Sequence, residues 1–209
     1  MDEGTPFTER VRDGYDRIAT EYLGERSTDD TDVPLVERFC EELQAGGDVL
    51  DAGCGAGEPV MELLAETCSV TGLDVSHEQL LLAVDRLSSP RLVQADMTRL
   101  PFEANTFDGI TAFYSVIHVP RTRHEHLFAE FHRVCRPDGL LLCTVGETDW
   151  DGHTDDWMGM GAAMHWDMPG LDRTRQLLRD AGFVVEDVDR VADNVAEDEG
   201  VKPFVWARA

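Results

Sequence analysis

Three glycines at alternate positions, Gly53, Gly55 and Gly57, follow a short apolar run that ends in Asp51. The order Val49-Leu50-Asp51-Ala52-Gly53-Cys54-Gly55-Ala56-Gly57 is what a parallel strand needs to turn tightly into a helix beside a ligand. Glycine reaches φ > 0 and has no Cβ to hold a ligand away from the backbone. A helix is expected from Glu58-Pro59, since a proline in the first turn has no intrahelical N–H bond to lose. The spacing also separates classes of nucleotide. A dinucleotide fingerprint, Gly-x-Gly-x-x-Gly, would need its third glycine at position 58 or 60, where Glu58 and Val60 stand. It fails in both frames.

Around this turn the pattern alternates between strand and helix. Apolar runs predict strands at 48–52, 70–74, 91–95, 107–113 and 139–145, with helices near 58–67, 76–87 and 121–135. Such alternation implies right-handed crossovers and a parallel sheet. Ahead of it, Phe7, Val11, Tyr15, Ile18, Ala19 and Tyr22 fall at helical spacing over 7–24, and a second helix is expected at 34–44 after a polar stretch, 24–32. Behind it come an insertion (147–170), a helix (171–181) closed by Gly182, and strands at 183–190 and 202–208. With no helix between them, the last two strands are expected to pair antiparallel.

Two further acidic positions fit a nucleoside held across the first turn. Asp74 ends the second strand, in Thr71-Gly72-Leu73-Asp74-Val75-Ser76, where a carboxylate can accept from both ribose hydroxyls. Ser76 reads as the N-cap of the next helix, with Gln79 completing a capping box. Asp96 follows the third strand and can accept from an adenine amino group, while Met97 offers a soft apolar face to the ring.

Taken in order, Asp51-x-Gly53-x-Gly55-x-Gly57, Asp74, Asp96-Met97 with Leu100-Pro101-Phe102, Phe107-Asp108-Gly109-Ile110, Tyr114-Ser115-Val116-Ile117-His118 and Arg136-Pro137-Asp138-Gly139 resemble the class I S-adenosylmethionine-dependent methyltransferases. The likeness runs from about residue 48 to 145, and Tyr15-Asp16-x-x-Ala19-x-x-Tyr22 resembles the N-terminal helix that covers the cofactor in small-molecule members. The family usually carries Leu-Lys-Pro-Gly-Gly where Cys135-Arg136-Pro137-Asp138-Gly139 stands here. The resemblance implies one Rossmann-like α/β domain with a seven-stranded sheet, six strands parallel and one antiparallel. Its parts would be a helical cap (1–45), a cofactor-binding core (46–146), a substrate lid (147–170) and a C-terminal helix with a strand hairpin (171–209). It further implies that Asp51, Gly53, Cys54, Gly55 and Gly57 border the methionine moiety of S-adenosyl-L-methionine. Asp74 and Val75 would face the ribose, and Asp96 and Met97 the adenine. Tyr114 and Ser115 would lie beside the reacting centre, with Tyr15 and Tyr22 as covering residues rather than catalysts. The product would be S-adenosyl-L-homocysteine.

Composition narrows the partners. Eighteen basic against 42 acidic residues give a net charge of −24, and the basic set is 17 arginines and one lysine, Lys202. Acidity spread over the whole chain reads as adaptation to high salt, where self-repulsion is screened; an acidic surface for a cationic partner is the rival. A nucleic-acid partner is not expected, because the basic clusters that neutralise phosphates are missing. No apolar run approaches the roughly 20 residues of a membrane span, and the start Met1-Asp2-Glu3-Gly4 lacks signal-peptide character. A cytoplasmic protein is the expectation. The five cysteines form no Cys-x-x-Cys pair and read as reduced thiols, with no metal site expected.

The acceptor side is less specified. His118 falls at the carboxyl end of a central strand, the edge at which open α/β sheets bind ligands, and is a candidate general base. The insertion holds Trp150, Trp157 and Trp166 with Met158, Met160, Met164, Met168 and His165, a composition suited to an adaptable apolar lid. Trp157, His165 and Trp166 are its candidate substrate contacts. The expected activity is methyl transfer to a small molecule; the alternatives are another nucleoside-binding Rossmann enzyme, such as an oxidoreductase, or a non-catalytic cofactor-binding protein with a protein partner.

Overall fold

The computed structural model describes residues 7–26, 33–43, 46–192 and 201–209. The acidic start, residues 27–32 of the polar stretch, Gln44 and the stretch 193–200 lie outside the described residues. Helices α1 (Phe7–Arg26) and α2 (Val33–Leu43) precede the alternating part. That part is β1 (Asp48–Ala52), α3 (Val60–Ala65), β2 (Ser69–Asp74), α4 (His77–Arg86), β3 (Arg91–Gln94), β4 (Phe107–Ala112), α5 (His124–Val134) and β5 (Cys135–Thr144). A separate two-stranded sheet, β6 (Trp150–Thr154) with β7 (Met164–Met168), comes next, then α6 (Leu171–Ala181), β8 (Val184–Ala192) and β9 (Val201–Arg208).

The main sheet has the order β3-β2-β1-β4-β5-β9-β8. β3, β2, β1, β4 and β5 are parallel neighbours, and β9 runs antiparallel to both β5 and β8. Six strands therefore share one direction and β9 opposes them, as expected. The chain order inverts at this edge: β9, with Phe204, Val205, Trp206 and Ala207 buried, lies inside, and the mostly exposed β8 forms the rim. The strand order reverses beside β1, so the crevice outside the carboxyl ends of β1 and β4 is the natural ligand position.

Two apolar clusters cover the faces of the sheet. One joins Leu50, Leu73, Ile110 and Leu141 to Leu127, Phe128, Phe131, Leu177 and Leu178 of α5 and α6. The other joins Val49, Val70, Leu140 and Leu142 to Val36 and Phe39 of α2 and Met61 and Leu64 of α3.

Local departures have local causes. α3 starts at Val60 with Pro59 as its N-cap, two residues later than expected, because the Gly55–Gly57 turn extends to Glu58. β5 starts at Cys135 rather than at Gly139, through a register shift opposite Phe107–Gly109 and Asp138 at φ +64°. The helix expected over 121–135 is a 3₁₀ turn, Arg121–Arg123, followed by α5.

Arginine's fork explains its use on so acidic a surface, since one guanidinium serves several carboxylates. Arg38 pairs with Glu42, Asp187 and Asp189 while lying 4.1 Å over the Trp206 ring. Arg136 bridges Asp48 and Asp108, and Arg208 bridges Glu42 and Glu186.

Candidate active site

The carboxyl ends of β1 to β4 open into a cleft of about 1030 Å³, partly open to solvent. All three motif glycines have positive φ, +88°, +53° and +86°. Gly53 is the tightest: a Cβ there would stand 2.2 Å from Cβ of Ser115. Ser115 is fixed by its own hydroxyl, which donates to the Ala52 carbonyl at 2.6 Å. Gly57 instead packs against Leu87 and Ala83 of the α4 segment, so it closes the turn without lining the cleft. Asp51 is 2% exposed and accepts the Thr111 hydroxyl at 2.8 Å. The Cys54 thiol is buried, and burial, reinforced by the charges of Asp74 and Asp51, raises its pKa far above the usual thiol range.

Asp74 accepts N–H bonds from Gly55 at 2.9 Å and Ser76 at 2.8 Å. Burial raises its pKa, and these backbone donors pull it partly back. The expected capping box is only half formed. Ser76 Oγ does accept from Gln79 N–H at 3.2 Å, but the Ser76 N–H goes to Asp74, so the Gln79 side chain has no cap to complete. It turns to the cleft wall beside Gly55. There it is 2% exposed, and its Nε2 has no hydrogen-bond partner among the described residues. An unpaired buried amide is costly. A hydroxyl-bearing ligand in the cleft would satisfy it, so the donor set at the ends of β1 and β2 fits a ribose. Gln79 was legible as a helix cap and not as a ligand contact.

Asp96 accepts from the N–H and hydroxyl of Thr98 and pairs with Arg123 at 3.2 Å. Arg123, on the turn before α5, stands outside the cleft lining, and its pairing with Asp96 was not legible. Val75, Met97 and Tyr114 line the cleft; Tyr114 sits at φ +53°, with the Lys202 ammonium 4.5 Å from its ring centre.

Helix α1 supplies the roof through Thr8, Val11, Tyr15, Tyr22 and Leu23. It is latched by Asp16, whose Oδ1 accepts from the Ser76 hydroxyl at 2.6 Å and the Glu78 N–H at 3.2 Å, at the start of α4. His118 lies in the 3₁₀ turn Val116–His118 after β4 and lines the cleft. Its Nε2 is 2.9 Å from the Tyr15 hydroxyl and its Nδ1 2.8 Å from the His165 carbonyl. Burial lowers its pKa to about 4.

The insertion is an ordered hairpin, with Met164–Met168 paired to Trp150–Thr154. Its candidate substrate residues stand behind the cleft wall. Trp157 packs on Tyr15 and Tyr22, Trp166 on His118, and the His165 ring between Phe7 and His153. What reaches the site from β7 is the His165 carbonyl, which no side-chain pattern announces.

Sheet order, glycine turn and the acidic ends of β2 and β3 define a class: the fold is the Rossmann-like fold of the class I S-adenosylmethionine-dependent methyltransferases. Residues 49–139 match the Methyltransf_25 family, a methyltransferase domain. The chain is 38% identical over 147 residues to the methyltransferase GfsG of Streptomyces halstedii, covering 65% of this chain and 50% of that protein. It spans about half the length of the curated relatives it matches. Among solved structures it resembles a Burkholderia thailandensis 1,6-didemethyltoxoflavin-N1-methyltransferase with bound 1,6-didemethyltoxoflavin and S-adenosylhomocysteine. The TM-score is 0.73 at 22% identity, covering 100% of this chain and 92% of that one. It also resembles a putative methyltransferase in complex with the Trm112 methyltransferase activator of Haloferax volcanii, with TM-score 0.74 at 19% identity, covering 95% and 97%.

Proposed function

We propose that the protein transfers a methyl group from S-adenosyl-L-methionine to a small-molecule acceptor. The observation that carries this is one cleft in which the Gly53–Gly57 turn, Asp74 and the unpartnered Gln79 amide converge. The sulfonium supplies an already activated methyl group, so the protein's work is alignment and exclusion of water. Asp51 with the backbone of Gly53 and Gly55 would border the methionine part. Asp74 and Gln79 would take the ribose hydroxyls, and Asp96 and Met97 the adenine. Tyr114 and Ser115 flank the transfer point, and His118 is the group suited to receive a proton. The hairpin 150–168 shapes the acceptor side from behind, through Trp157 and Trp166.

The charge of −24 supports two further parts of the proposal, a working environment of high salt and an acceptor other than a nucleic acid. No helix among the described residues is long and apolar enough to cross a membrane.

Calorimetric titration with S-adenosylhomocysteine in molar salt tests the central claim. Wild type is expected to bind, and Asp74→Ala to bind at least about tenfold more weakly, the loss of a charge-assisted hydrogen bond. No binding by wild type would remove the proposed function. Unchanged affinity in the variant would remove only the ribose assignment. A midpoint of thermal unfolding that does not rise between dilute and molar potassium chloride would remove the high-salt proposal.

A further inference from the structure

Tyr15, His118 and the His165 carbonyl form a hydrogen-bonded chain that cofactor binding does not require. A backbone carbonyl only accepts, so its contact with Nδ1 of His118 places the ring proton on Nδ1. The ring is held neutral, chiefly by burial. Nε2 is then an acceptor, and the Tyr15 hydroxyl 2.9 Å away is its donor. Three distant elements build the chain: α1 brings the phenol, the turn after β4 the imidazole, and β7 the carbonyl that sets the tautomer. Trp157 packs on the Tyr15 ring at 5.6 Å and Trp166 on the His118 ring at 5.9 Å, which shields the pair from water on the far side.

Charge in the cleft is segregated. The lining carboxylates, Asp51, Glu58, Asp74 and Asp96, come from the ends of β1, β2 and β3 and the turns after them. The lining from α1 and from the chain after β4, which carry Tyr15 and His118, has no aspartate or glutamate, and no lysine or arginine lines the cleft among the described residues. Apart from the sulfonium itself, an anionic acceptor would meet no cation of the lining there, and an ammonium no carboxylate.

We infer that Tyr15 is a catalytic residue, taking the acceptor's proton while passing its own to His118, and that the acceptor is uncharged, with a weakly acidic proton on its nucleophilic atom, as in a phenol, an enol or a ring N–H. This rests on the methyl-transfer function proposed above. As the acceptor atom bonds to the methyl carbon, the carbon–sulfur bond breaks and its electron pair stays on sulfur, cancelling the sulfonium charge. The acceptor's proton moves to the Tyr15 oxygen and the Tyr15 proton to Nε2. One cation is lost and one, the imidazolium, is formed, still donating from Nδ1 to the His165 carbonyl. It returns its proton to water after product leaves. So weak a base takes no proton from a resting alcohol. It acts only as the new bond makes the acceptor's proton strongly acidic, which keeps proton transfer concerted with methyl transfer.

Among the described residues, the titratable groups facing His118 are Tyr15 from α1 and His165 from β7. In ¹⁵N-histidine-labelled protein bound to S-adenosylhomocysteine, His118 is expected neutral and Nδ1-protonated at pH 7, with its Nε2 resonance displaced by Tyr15→Phe. A cationic or Nε2-protonated ring overturns the relay. Transfer is then assayed with phenol, benzoate and benzylamine as size-matched probes. Phenol is expected to be the methylated one. Tyr15→Phe should lower its kcat by about 10²–10⁴-fold, with KM within about threefold and S-adenosylhomocysteine affinity unchanged. The residual rate of the variant should rise about tenfold per pH unit between pH 7 and 9, where wild type is flat, because only ionised acceptor then reacts. His118→Gln should lose kcat in the same way. Unchanged kcat in both variants, preference for a charged probe, or no transfer to phenol by a protein that binds S-adenosylhomocysteine overturns the inference. Failure of wild type to bind S-adenosylhomocysteine overturns the methyltransferase function itself.

Discussion

One half of the cleft is built within the sheet ladder, the other by elements docked onto it. The cofactor half follows from strand ends and the turns directly after them: Asp51 to Gly57, Asp74 to Gln79, Asp96 to Thr98. Each carboxylate there is held by hydrogen bonds from neighbours in its own turn or the adjacent strand. The acceptor half is held by contacts across 103 residues between Tyr15 and His118 and 47 between His118 and His165. A parallel sheet with a glycine turn therefore makes a nucleoside site by local rules. The acceptor site exists only once α1 and the β6–β7 hairpin have docked.

The sharpest way to break the local half is Gly53→Ala. Its positive φ costs about 1–2 kcal/mol, and the 2.2 Å approach to Ser115 forces the β4 end to move. We expect loss of more than about 3 kcal/mol in urea unfolding and no detectable S-adenosylhomocysteine binding. A variant that binds normally would mean the turn is more pliable than its hydrogen bonds imply.

The long-range half should announce itself through pH. The folded pKa of His118, about 4, lies below its ordinary 6.5. Stability from a histidine kept neutral is full above pH 6.5 and is lost as pH falls from there towards 4, because the unfolded chain binds a proton that the fold excludes. Between pH 7 and pH 4 wild type should lose about 3 kcal/mol more unfolding free energy than His118→Gln. Parallel pH curves for the two proteins would show the ring to be charged or solvated.

Gly55→Ala refines the first comparison. The backbone is again left-handed, yet the nearest atom to a new Cβ is Gln79 Oε1 at 3.6 Å. Only the conformational cost of about 1–2 kcal/mol remains, so the fold should survive and binding weaken far less than in Gly53→Ala. Equal damage from both would mean that φ alone governs the turn.

The smallest effect concerns the latch between the halves. Asp16→Ala removes a cap from α4 and the bond that docks α1 onto it. We expect about 1 kcal/mol of destabilisation and faster dissociation of S-adenosylhomocysteine in stopped-flow traces. An unchanged off-rate would place the roof's stability elsewhere, in the Tyr15–Tyr22–Trp157 cluster.

Gln79 and the hairpin show where legibility stopped. The serine-to-glutamine spacing correctly placed the start of α4, and Ser76 does cap it. It could not show that Asp74 would capture the Ser76 N–H and release Gln79 to the cleft, because that choice depends on where β2 ends relative to the glycine turn. In the insertion, tryptophan and methionine content pointed to a covering segment. Strand pairing between Trp150–Thr154 and Met164–Met168 placed its aromatic rings one layer behind the wall. Arg123 carried no signal at all, since its pairing with Asp96 joins the turn before α5 to the end of β3 across 27 residues.

The sequence by itself determined the sheet, the glycine turn and the acidic strand ends, because strand period, glycine's access to positive φ and a carboxylate's reach act within a few residues. Only the tertiary structure decided that a phenol on the first helix, an imidazole after the fourth strand and a carbonyl from the hairpin would meet. A hydrogen bond between residues a hundred positions apart is set by how packed elements cross, and residue order alone does not encode that angle.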